Sequence, residues 1–166
     1  MKTQIRSIRF WLLLFMTGLL LSGFTAFVVE PGLQWLLSFG PYDNALYRWL
    51  ETNYQAISAT NKAFPAIAYG YDWLAFAHIV IATAFIGPLI DPVRNVWVVQ
   101  FGCIACLMIF PLAFIAGRIR HIPFFWQLID CSFGVLGLVP LLVCYYKIRL
   151  LNRSRHSSVL SKTVRS

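Results

Sequence analysis

The chemistry-bearing side chains gather around one turn. The stretch Gly117-Arg118-Ile119-Arg120-His121-Ile122-Pro123 separates two long apolar runs, and Asp130 sits inside the second. An aspartate near the centre of an apolar helix costs roughly 2.5–3.5 kcal/mol on membrane-insertion scales, so Asp130 needs a counter-charge or a proton. Arg118 or Arg120, reaching down from the preceding helix end, can supply the first. Two roles stay open for the acid: a structural pin between helices, or a ligand or proton site. Asp72 and His78 open another apolar run, and Glu30 closes the first one. Together with Arg118, Arg120, His121 and Asp130 they form a candidate polar binding cluster. Asp72, His78 and Asp130 have the side-chain types for acid–base work on a small molecule or lipid.

His78 lies within an apolar run. It can ligate haem, carry a proton or hydrogen-bond a neighbouring helix. Haem with two axial ligands would need His121 as well, which lies nearer the surface, so no cofactor is expected. Cys103-Ile104-Ala105-Cys106 has dithiol spacing, and Cys131 falls in the next run. No cysteine lies in the segment 31–70 that would pass electrons onward. Packing is the expected role of these thiols, and a thiol or haem redox protein remains an alternative. The ligand set for a zinc site is incomplete, so no metal is expected. Phosphate-cradling loops, nucleotide fingerprints and protease triads do not occur.

The elements that must position these residues follow from composition. The chain has 166 residues, 59% hydrophobic and 12% charged. A soluble domain of that size exposes too much surface to hide so much apolar side chain. Runs at about 10–29, 73–90, 93–116 and 124–146 approach the roughly 20 residues needed to cross a hydrocarbon core. The expected fold is an all-α membrane protein, a four-transmembrane-helix bundle forming one domain over 1–151.

Of the fourteen Lys and Arg residues, nine lie in the terminal segments: Lys2, Arg6, Arg9, Lys147, Arg149, Arg153, Arg155, Lys162 and Arg165. The net charge of +8 therefore reads as positive-inside topology rather than nucleic-acid binding. Both termini are expected in the cytoplasm, with 31–70 and the Arg118 turn outside. Counting about 1.5 Å per residue then puts His78 and Asp130 at similar depth in the outer half. The first run reads as a retained helix rather than a cleaved signal, because it is long and lacks a good small-residue cleavage site.

Within 31–70, "PGLQWLLSFG" and "PYDNALYRWLETNYQAIS" read as two short amphipathic helices joined at Gly40-Pro41. They are expected to lie on the bilayer or cap the bundle, a binding lid being the sharper alternative. Gly18, Ser22 and Thr25 form a small-residue seam, as do Gly134 and Gly137 on the face of Asp130. Asp91-Pro92 reads as a helix start after Gly87-Pro88 ends the previous helix, with Arg94 offsetting Asp91 in a structural turn. The basic stretch 152–166 is expected to be a disordered tail near anionic headgroups.

The motifs "LSGFTAF", "YDWLAFAHIVIA", "GPLIDPVRNVWVVQFG" and "GRIRHIPFFWQLIDCSFG" resemble an uncharacterised family of small bacterial multi-pass membrane proteins with no assigned activity. That resemblance implies a bacterial inner-membrane setting and no site residues. The expected function is a binding, accessory or complex-forming membrane protein, with a small-molecule or lipid enzyme or transporter as the alternative. Expected partners are membrane lipids, other membrane proteins or a second copy of the chain, and not nucleic acid.

Overall fold

The computed structural model describes residues 2–40 and 43–163, with side chains described for 3–40 and 43–153. Pro41, half of the expected joint at Gly40-Pro41, lies outside them, as do the side chains of Lys2, Arg155 and Lys162 and all of Arg165. The described residues are helical, with no strand. In order they form α1 (Lys2–Phe27), α2 (Val29–Leu37), α3 (Ala45–Ala63), α4 (Pro65–Ala84), α5 (Ile86–Ile90), α6 (Val96–Ile119) and α7 (Phe124–Thr163). Among the described residues, four stretches are long and apolar enough to cross a membrane: Thr3–Phe27, Pro65–Ile90, Val96–Ile119 and Phe124–Arg153. Only 11% to 28% of each stretch's most apolar window is buried inside the protein. Residues such as Leu112, Leu136 and Phe10 are more than half exposed. Apolar surface on this scale is stable against lipid tails and unstable against water.

Chain contacts divide the molecule into two compact units, residues 1–18 with 83–166, and residues 19–82. In the first, α6 and α7 form a hairpin whose short connection forces them antiparallel. Its core gathers Ile8, Leu12, Phe85, Val99, Leu141 and Cys144, each at 0% exposure. Gly102 makes room for this packing: a Cβ there would stand 2.8 Å from both Leu141 and Phe85. Phe85 in turn packs against Phe15 of α1, ring centroids 4.8 Å apart and planes tilted by 57°. The expected Gly134 and Gly137 seam packs on α6, since Cβ atoms there would meet the Cys106 carbonyl and Cys106 Sγ, each at 2.9 Å.

Polar ties close the other end of this unit. Arg9 Nε donates to the Leu89 carbonyl at 3.0 Å, and Lys147 Nζ donates to Ser7 Oγ at 2.5 Å. The Arg9 guanidinium thus meets the last carbonyls of α5, where a helix end favours positive charge.

The second unit holds the later part of α1, with α2, α3 and most of α4. Asn44 caps α3, its Oδ1 accepting from Tyr47 N at 2.7 Å. Phe64, at φ −138° and ψ 68°, ends α3, and Pro65 takes the first position of α4. The second span therefore starts eight residues before the expected Trp73, which carries Asp72 into the helix instead of leaving it at the mouth. The expected seam at Gly18 is also displaced. A Cβ at Gly18 would touch nothing within 4 Å, whereas one at Gly23 would stand 2.9 Å from the Ala75 carbonyl. Gly23 is where α1 and α4 approach closest enough to require glycine.

At the turn between α5 and α6, α6 begins at Val96 and not at Pro92. Asp91 Oδ1 accepts from the backbone N–H groups of Val93 and Arg94, both at 3.1 Å, in a turn that precedes the helix. Arg94 meets Asp91 through its main chain, and no ion pair joins their side chains among the described residues. At the C-terminal end, α7 runs past the expected end at 146 to Thr163, so residues 152–163 of the stretch expected to be a disordered tail are helical.

Candidate functional site

The α6–α7 connection is built without its charges. The Ile122 N–H donates to the Gly117 carbonyl at 2.9 Å and the His121 N–H to the Arg118 carbonyl at 3.2 Å. With His121 at φ 54°, this is the paired-bond helix end in which one left-handed residue turns the chain. Pro123 then receives Trp126 N and Gln127 N on its carbonyl and starts α7. Gln127, only 5% exposed, donates its Nε2 to the Ile122 carbonyl at 2.8 Å and so ties helix to turn. Gly117 permits this, since a Cβ there would sit 2.7 Å from Gln127 Cδ.

What the turn leaves over is charge. Arg118, Arg120 and His121 are exposed, and none of their side chains makes a hydrogen bond or ion pair with another described residue. Asp130 is half-buried, and likewise forms no ion pair with Arg118 or Arg120 among the described residues. Arg118, His121 and Gln127 line an open cleft of about 740 Å³ whose walls are Phe114, Ile115, Ile122 and Phe124. The rings of Phe114 and Phe124 stack at 6.4 Å with planes 26° apart.

Glu30, Asp72 and His78 belong to the other unit. Glu30, in the first turn of α2, accepts from Asn61 Nδ2 of α3 at 2.5 Å. Hydrogen bonds from Asn61 and Ser58, with the Lys62 charge nearby, hold its carboxyl below the ordinary value of 4.5. His78 Nδ1 lies 2.8 Å from the Leu74 carbonyl of its own helix. A carbonyl only accepts, so Nδ1 is the donor in this contact. The histidine bond is thus within its own helix and not to a neighbouring one. Asp72 is exposed, and six residues of helix turn it about 120° away from His78. This unit has its own cavity of about 350 Å³, lined by Asn53, Ile57, Thr60, Tyr71 and others.

Cys106, Cys131 and Cys144 are buried and Cys103 half-buried, all as free thiols. The described residues contain no cluster of three or more His, Cys, Asp or Glu able to hold a metal. Sequence reasoning missed Gln127, whose only signal is its place four residues after a helix-starting proline. Comparison with known proteins returned no matching family model, no matching curated protein and no matching solved structure.

Proposed function

We propose that this chain is a multi-pass membrane protein of binding or accessory type, whose α6–α7 turn is a recognition element. One observation carries the reading: the turn is held by Gly117, Gln127 and the backbone of His121, so the charges of Arg118 and Arg120 are not spent on holding it. A charge kept at a helix end without a structural partner is available to a ligand or another protein. The buried state of three of the four cysteines supports packing over thiol exchange.

The membrane is the bacterial inner membrane, with both termini cytoplasmic and the Arg118 turn outside. The terminal concentration of Lys and Arg and the family resemblance support that placement. The test of the functional reading is paired neutralisation, Arg118→Gln with Arg120→Gln, in membranes and in detergent. The variant is expected to keep its yield and helicity while losing its bound partner or ligand. Loss of the folded protein itself would contradict a recognition role.

A further inference from the structure

We infer that the cleft beside the α6–α7 turn binds an anionic phospholipid, its phosphate on Arg118 and His121 and its chain along Phe114, Ile115 and Phe124; this rests on reading the turn as a recognition element. The cleft's volume of about 740 Å³ lies in the size range of ligand sites. Its lining contains two side chains able to carry positive charge and no acid. An arginine fork matches two phosphate oxygens, and the start of α7 at Phe124 adds the positive end of a helix.

The walls decide between a soluble anion and a lipid. Ile115 and Phe124 are 62% and 64% exposed. A soluble anion would use the cations and leave these walls uncovered. A zwitterionic lipid would cover the walls but bring its own ammonium against Arg118 and His121. Because the turn joins two membrane-crossing stretches, ending at Ile119 and starting at Phe124, the cleft opens at a bilayer boundary. That holds whichever side the turn faces. An anionic lipid uses both halves of the site.

The experiment is native mass spectrometry of the full chain in nonionic detergent. The probes are dioctanoyl phosphatidylglycerol, dioctanoyl phosphatidylcholine and inorganic phosphate. The anionic lipid should bind wild type about tenfold more tightly than the zwitterionic one, the scale of one charge-assisted hydrogen bond. Arg118→Gln should remove that preference, His121→Gly should reduce it, and Arg94→Gln, at the turn before α6 and outside the cleft lining, should leave it intact. Equal affinity for the two lipids, or an unchanged preference in Arg118→Gln, would overturn the proposal. Displacement of the lipid by phosphate at comparable concentration would also overturn it, in favour of a free-anion site. A stable Arg118→Gln protein that keeps the wild-type lipid preference sinks the ligand class alone. An Arg118→Gln protein that unfolds as readily as Gln127→Ala sinks the recognition reading beneath it.

Discussion

His121 is a histidine where helix ends most often place glycine, because its φ of 54° brings Cβ close to the backbone. Glycine there should therefore preserve the hairpin and raise its stability by up to about 1 kcal/mol. Valine, branched at Cβ, should lower it by about 1–3 kcal/mol. Denaturation of the two variants in one detergent checks both signs. Opposite conclusions hold at Glu30, where the side chain carries the interaction. Its folded-state pKa lies below 4.5, so its contribution to docking α2 on α3 is complete above that value. The contribution is lost as pH falls through the depressed folded value. A spin-label distance between α2 and α3 should lengthen for wild type as pH falls well below 4.5, and Glu30→Gln should remove that acid response. That Arg118 and His121 sit at a turn between two helices was legible from the apolar runs on either side. Whether Arg118 pairs with Asp130 was not, because pairing depends on helix rotation and side-chain reach that spacing does not contain.

At the scale of elements, glycine spacing proved a partial guide. Gly134 and Gly137 were readable as a packing face because they lie on one side of a helix whose neighbour follows it directly in sequence. Gly18 looked equivalent by spacing, yet Gly23 makes the close approach, since the partner helix is distant in sequence and its register is invisible. The contrast predicts opposite outcomes. Gly134→Ala sets a methyl against the Cys106 carbonyl and should destabilise by about 1–3 kcal/mol. Gly18→Ala meets nothing within 4 Å and should gain up to about 1 kcal/mol from helix propensity. Thermal unfolding of both variants separates them. The start of α4 was also readable in principle: Pro65 fixes the first helical position, but Trp73 drew the boundary because hydropathy rises there.

Across the whole molecule, the apolar runs were the most legible feature, since a span needs only length and composition. The described residues contain the four expected crossing stretches, and most of their surface is apolar and uncovered by protein. Orientation is a separate matter of charge, and reporter fusions at the Arg118 turn should signal extracytoplasmic exposure while fusions after Arg153 signal cytoplasmic exposure. The central claim is narrower: uncharged groups hold the α6–α7 hairpin and its arginines are left for recognition. Unfolding of Gln127→Ala beside the Arg118→Gln, Arg120→Gln double variant tests it directly. Gln127→Ala strips the buried tie to Ile122 and should cost about 1–3 kcal/mol. The double variant should cost no more than about 1 kcal/mol, the scale of a cation at a helix C-terminus. A double variant that loses as much stability as Gln127→Ala would contradict the account.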